Sequence, residues 1–282
     1  MAKKSWAKFP HDNKSFDYAG DKLAKHWDAL HAGDCEPFPD EKRITALLKK
    51  HPKAGKAADA AALAAALQEA WRAYHRGDFQ QAFEAGQQLG ALGTSVAVKA
   101  AGIHAVYLLD DEKAQLKRFE ELAAMAEEAC TVLPDEANSH YRHAFALGRY
   151  SQGISVAKAL SMGLAGKVRA SLDKTLKLAP KHAEAHSALG LYHAEIVGKV
   201  GAMIGGLTYG AKASTGEELL QKAIKLTPSA PIAHVEYANG LILLYGEKRE
   251  DDAAAAFEKA SKLKPRDAME ALDAGFARDQ LE

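Results

Sequence analysis

The chain has 282 residues, 48% of them hydrophobic, which is enough to bury a core in one elongated domain or two compact ones and excludes a disordered chain. Lys plus Arg and Asp plus Glu number 37 each, so no global field draws the protein to nucleic acid, to a membrane or to another polyanion. Cys35 and Cys130 lie far apart and outside any Cys-x2-Cys context, which argues against a disulfide framework or a zinc knuckle and for idle free thiols.

Composition sets residues 1–54 apart as an N-terminal section ahead of a helical domain over 55–282. Its start, Met1-Ala-Lys-Lys-Ser-Trp-Ala-Lys-Phe-Pro10, lacks the apolar run of a secretory signal, which points to the cytoplasm. Trp6, Phe9, Phe16, Trp27 and Phe38 stand there among Gly-Asp and Pro-Phe-Pro breakers, predicting an extended arm and two short helices at about 19–31 and 40–50. At the end of a helical stack such a section caps the outer face, with its aromatics as anchors. Residues 57–76 with 78–89 then predict a first helical hairpin, and 95–109 with 112–132 a second.

Four helical segments end on one phrase: Thr131-Val-Leu-Pro134, Leu176-Lys-Leu-Ala-Pro180, Ile224-Lys-Leu-Thr-Pro228 and Ser261-Lys-Leu-Lys-Pro265. Proline has no N–H for the helical ladder and pushes its predecessor out of the α region, so each phrase is a stop. Asp135 follows one stop, and Asp267-Ala-Met-Glu270 follows another as a capping box; Asp78-Phe-Gln-Gln81 and Thr215-Gly-Glu-Glu218 read the same way. Ala253, Ala256, Phe257, Ala260 and Leu263 keep helical spacing and predict one buried face; Leu172, Leu189, Leu220, Ala223 and Leu226 are further core positions.

Gly77-Asp78-Phe79-Gln80-Gln81-Ala82, with Ala253, Phe257, Ala260 and Pro265, resembles the tetratricopeptide repeat (TPR), and Leu189-Gly190 before Tyr192 resembles the middle of a first repeat helix. The resemblance covers about 56–280 and implies an all-α, TPR-like α-solenoid of antiparallel hairpins, with glycine admitting the neighbouring helix. Successive closing prolines are 46, 48 and 37 residues apart (180−134, 228−180, 265−228), against about 34 in the family. Two repeats are therefore enlarged, at 151–166 and 195–210. Shared between the two helices of a hairpin, the excess predicts either nearly two extra turns each, roughly 10 Å, or an ordered loop. The run Gly190-Leu-Tyr-His-Ala-Glu195, then Leu207-Thr-Tyr-Gly-Ala211 and Glu217 to Pro228, resembles the helical domain of regulator of microtubule dynamics proteins and their bacterial relatives, which implies a protein-binding role.

No constellation for catalysis stands out. A Gly166-Lys167 pair has no Gly-x4-Gly-Lys-Ser/Thr around it, and no His-Glu-x2-His, Gly-x-Ser-x-Gly or Cys-His pairing occurs, so neither an enzyme nor a cofactor site is expected. Gly201-x3-Gly205 reads as a close helix contact at a hairpin tip. His182-x3-His186 and His140-x2-His143 have metal-ligand spacing, yet His140, His186 and His234 fall at the fourth position of their repeats, where the resemblance implies a packing residue. The uncharged run 200–211 is 12 residues, too short to span a bilayer. Its Met203, Ile204 and Leu207 leave open a structural homo-oligomer assembled through an apolar tip at 197–211.

The resemblance also implies a groove on the concave side, lined by the first helix of each repeat. Its positions are Leu67, Trp71, Tyr74 and His75; Asn138, Tyr141, Phe145, Gly148 and Arg149; Glu184, Ser187, Leu191, Ala194 and Glu195; and Ile232, Val235, Asn239, Ile242 and Leu243. The Lys-and-Asn clamp that grips a terminal carboxylate in chaperone-binding members is matched only at Asn239. A non-catalytic scaffold binding an apolar or amphipathic protein segment follows, anchored on Trp71, Tyr141 and Phe145 with Arg149 facing an acid. The alternative is that these side chains pack beneath the N-terminal arm.

Overall fold

The computed structural model describes residues 5–282; the first four residues of the expected arm lie outside them. The described residues form fifteen α-helices, five short 3-10 turns and no strand. They fall into two units, one comprising residues up to Ala29 with Glu36–Leu164, the other Leu30–Cys35 with Ala165–Glu282.

The first unit opens with an extended stretch, α1 (Lys22–Leu30) and α2 (Glu41–Lys50). Asp40 caps α2 by accepting the Arg43 N–H at 2.7 Å, and Ile44 and Leu48 pack with Ala60, Ala64 and Leu67 of α3 (Ala60–Arg76). The chain then runs through α4 (Phe79–Gln88), α5 (Thr94–Leu108), α6 (Glu112–Val132) and α7 (Ala137–Gln152), each packed on the helix before it. Gly90–Leu108 is long and apolar enough to cross a membrane, but 72% of its apolar window is buried. Helix α5 touches α3, α4, α6 and α7, so it is the central helix of this unit. The short α8 (Val156–Ser161) follows.

The second unit contains most of α9 (Leu164–Leu178), then α10 (Ala183–Val200), α11 (Ala202–Tyr209), α12 (Ala213–Leu226), α13 (Pro231–Tyr245), α14 (Glu250–Lys262) and α15 (Ala268–Asp279). Helix α10 packs on α12 and α13, α13 on α14, and α14 on α15. The predicted close approach is realised at Gly190, where a Cβ would lie 2.6 Å from Leu220 Cγ and 2.9 Å from the Gly216 carbonyl oxygen. Residues 30–35 join this unit through the Gly33 carbonyl, which accepts the Glu184 N–H at 3.0 Å.

Several sequence expectations are corrected here. The enlarged repeats do not extend both helices by two turns, since α10 has 18 residues against 15 in α13, a difference of under one turn. The excess instead forms α8 and α11, cut out by Gly163 (φ 64°), Gly201 (φ 82°) and Gly210 (φ 64°), whose left-handed backbone interrupts an α-helix. Thr215-Gly-Glu-Glu218 lies inside α12 and starts nothing, while Asp78 makes no cap hydrogen bond and pairs with Arg76 at 2.6 Å. Asp267 does cap α15, accepting the Glu270 N–H at 2.9 Å, and Glu270 reaches back to the Arg266 N–H at 2.7 Å. Leu172, Leu189, Leu220, Ala223 and Phe257 are buried as expected; Leu226, the last residue of α12, and Leu263, just past α14, are only half-buried.

Candidate functional site

In the first unit, the first-helix face is covered by the chain's own N-terminal section. Trp71 meets Trp27 edge-on at 5.8 Å and lies 5.5 Å from Tyr74, while Arg72 donates to the carbonyls of Tyr18 and Gly20 at 2.9 and 3.0 Å. Trp71 and Tyr74, expected as groove residues, are buried side chains, 2% and 1% exposed. Tyr141 is buried too, with the Arg142 guanidinium 5.2 Å from its ring centroid. Phe145 is half-buried, its ring seated where a Gly102 side chain would be and edge-on to Phe119 at 6.0 Å. Arg149 is half-exposed near Gln152 at 3.5 Å.

Sequence reasoning missed the polar centre of this face. Glu36, in the Glu-Pro-Phe-Pro run read only as a breaker, puts Oε2 2.6 Å from the Ser95 hydroxyl and 2.7 Å from Asn138 Nδ2. Buried Arg142 donates to the Ser95 hydroxyl oxygen at 3.3 Å, so a guanidinium backs the donors that hold the carboxylate. Further along, the Trp6 N–H donates to Gln80 at 3.0 Å; its ring stacks on Phe83 at 5.3 Å and lies 4.0 Å from the Arg118 guanidinium. The N-terminal section thus lies on helix faces through two tryptophans, backbone carbonyls and one carboxylate.

In the second unit, Leu191 and Glu195 stand one turn apart on α10, both half-buried, and Leu191 approaches α13 at Gly240. Glu195 pairs with Lys199 at 2.7 Å. Asn239 on α13 donates to Glu236 at 3.2 Å, and beyond it Ile242 and Leu243 are 46% and 41% exposed. These two lie at groove positions of their repeat and form an apolar ledge beside a carboxylate and an amide.

The histidines have structural partners. His140, His186 and His234 each place Nε2 2.8 to 2.9 Å from the carbonyl of the closing proline six residues earlier, Pro134, Pro180 and Pro228. A carbonyl only accepts, so Nε2 carries the proton and the ring ties the start of one repeat to the end of the last. His182 caps α10, its Nδ1 accepting the Ala185 N–H at 3.0 Å. His193, of the quoted His-Ala-Glu, accepts the Lys212 N–H at 3.1 Å and anchors the return from α11. Burial lowers the pKa of His186 and His193. Among the described residues no group of three or more His, Cys, Asp or Glu is placed to hold a metal ion. Cys35 and Cys130 are free and half-buried, their thiols pushed up to about 11, first by burial and then by nearby carboxylates.

No family model and no curated protein matches the chain. Among solved structures it is similar to a thermophilic TPR protein of Thermus thermophilus, with a TM-score of 0.54 and 14% identity over 77% of this chain and 98% of that one. The fold is TPR-like. A MamA double mutant also matches, with a TM-score of 0.39 and 16% identity over 77% of this chain and 96% of that one. The TPR-like fold accounts for the repeated closing prolines and for Gly190 against Leu220 as one helix-hairpin design.

Proposed function

We propose that the chain is a non-catalytic protein-binding scaffold that takes an apolar or amphipathic protein segment along the first helices of its TPR-like repeats. One observation carries this reading: in the first unit the chain's own N-terminal section lies on that face, with Trp27 against Trp71 of α3, the Tyr18 and Gly20 carbonyls on Arg72, and the Glu36 carboxylate on Ser95 of α5 and Asn138 of α7. A face built to hold such a segment in cis has the chemistry to hold one in trans where it is open. The partner surface is then Leu191, Glu195, Asn239, Ile242 and Leu243 of the second unit, with Phe145 and Arg149 of the first as a separate contact.

Phe16, Leu23, Trp27, Ile44 and Leu48 are buried, so point variants test this better than truncation. Tagged protein captures its partners from native extract after crosslinking. Ile242→Ser with Leu243→Ser removes specifically captured protein while leaving the melting temperature within a degree or two, because both side chains are substantially exposed. Unchanged capture by this variant and by Phe145→Ala would sink the proposal. A second reading, self-assembly through residues 197–211, is favoured by the exposure of Met203, Ile204 and Leu207; light scattering on the purified chain decides it.

A further inference from the structure

The two enlarged repeats share a composition that internal packing does not explain. Helix α11 carries no charge, and only Gly205 of it is buried, resting on Ile196 and Ala211. Its Met203, Ile204 and Leu207 are 76%, 52% and 85% exposed, and at i, i+1 and i+4 they form one outward stripe. From 196 to 216 the chain has no carboxylate, while Lys199 and Lys212 stand exposed at the two ends of the helix. Glu195, which pairs with Lys199, marks the inner limit of this zone.

The pattern recurs independently in the first unit. Helix α8 exposes Val156 (48%) and Leu160 (49%), with Lys158 between them. No carboxylate occurs from 137 to 172, although the chain as a whole has as many acids as bases. Among the described residues, six of the nine exposed large hydrophobic side chains lie on or beside these two short helices.

We propose that α11 is a membrane-docking element that lays its Met203–Ile204–Leu207 stripe into the interface of an anionic lipid bilayer, with Lys199 and Lys212 at the headgroups. Eight residues cannot cross a bilayer, which needs about 20 in a helix, so the mode is interfacial. Charge selects the occupant. A second copy docked through the same patch sets lysine against lysine, whereas an anionic leaflet gains from every lysine and presents no counter-surface that must fit. Overall neutrality does not oppose this, because headgroup attraction acts within a Debye length, about 8 Å at physiological salt.

Flotation of the full chain tests the proposal, using vesicles of phosphatidylcholine alone and of phosphatidylcholine mixed with phosphatidylglycerol. The wild type floats with the mixed vesicles and far less with the neutral ones. Lys212→Gln weakens this binding about fivefold, the equivalent of one lysine near the surface, and Met203→Ser with Leu207→Ser abolishes it. Circular dichroism melting of each variant matches wild type, since the replaced side chains are exposed. Absence of flotation with mixed vesicles overturns the proposal, as does equal flotation of the serine variant. If the wild type is a dimer by light scattering and the serine variant a monomer, the stripe belongs to a second copy and the proposal is likewise lost.

Discussion

Gly190→Ala tests the close approach on which the second unit depends. In an open helix this substitution stabilises by up to about 1 kcal/mol, because alanine restricts the unfolded chain and favours the helix. At Gly190 the new methyl lands 2.6 Å from Leu220 Cγ and 2.9 Å from the Gly216 carbonyl oxygen, against ordinary contacts of 3.4 to 4 Å. Leu220 has no slack, because its Cδ1 already lies 2.3 Å from where a Gly240 methyl would be. Helices α10 and α12 must therefore separate by several tenths of an ångström, and overpacking of this kind costs about 1–3 kcal/mol. The net expectation is a loss of about 1–2 kcal/mol, roughly 2–8 °C in melting temperature at about 2–4 °C per kcal/mol. Gly148→Ala is the control, since a methyl there meets nothing within 4 Å, and it should raise the melting temperature. Thermal and urea unfolding followed by circular dichroism read both. In a Leu220→Ala background the Gly190→Ala penalty should shrink, giving a coupling on the order of 1 kcal/mol. If Gly190→Ala stabilises as Gly148→Ala does, the tight contact between α10 and α12 is not what sets their spacing.

Three further outcomes are expected. His104 is pushed down to about 4, first by burial and then by the Arg118 guanidinium, from an ordinary value of 6.5. Its neutral ring favours the folded state above pH 6.5, and that stability is lost as pH falls from 6.5 towards about 4, at most on the order of 3 kcal/mol. Urea midpoints across this window measure the loss, and a flat profile would contradict the burial of this ring. Trp6→Ala removes the stack on Phe83 and the cation–π contact with Arg118, each worth about 1 kcal/mol; limited proteolysis should then cleave within 5–13, and unchanged resistance would mean the arm is held elsewhere. Asp267→Ala leaves the first turn of α15 uncapped and should cost about 1 kcal/mol, whereas Asp267→Asn should cost less, as denaturant midpoints will show.

What the sequence determined by itself is local. Proline at 134, 180, 228 and 265 forbids helix continuation wherever it stands, so the stops were legible. Apolar spacing identified Leu172, Leu189, Leu220 and Phe257 as core because a helix has one period. The histidines six residues after three of those prolines were visible as a pattern, but their bond to the proline carbonyl needs the turn geometry between them. The two enlargements could be counted from the proline spacing. Their form could not, because a glycine takes positive or negative φ with equal ease, and only the surrounding chain selects the breaks at Gly201 and Gly210 that cut out α11.

Tertiary structure alone decided which face is open. Trp71, Tyr74 and Tyr141 carry the right spacing for a groove, yet spacing says which side a residue is on and not what covers that side. The cover comes from residues 5–29 and 36–39, through contacts such as Glu36 to Asn138, 102 positions apart, which no periodicity encodes. Conversely, Leu207 stood out in the sequence as part of an apolar tip that could fold back or stay open, and its 85% exposure follows from Gly205 being the side of α11 that packs. Burial is a property of the assembled helices, so a one-dimensional pattern predicts it only where one face is apolar and the other is not; α11 is apolar or glycine nearly all round.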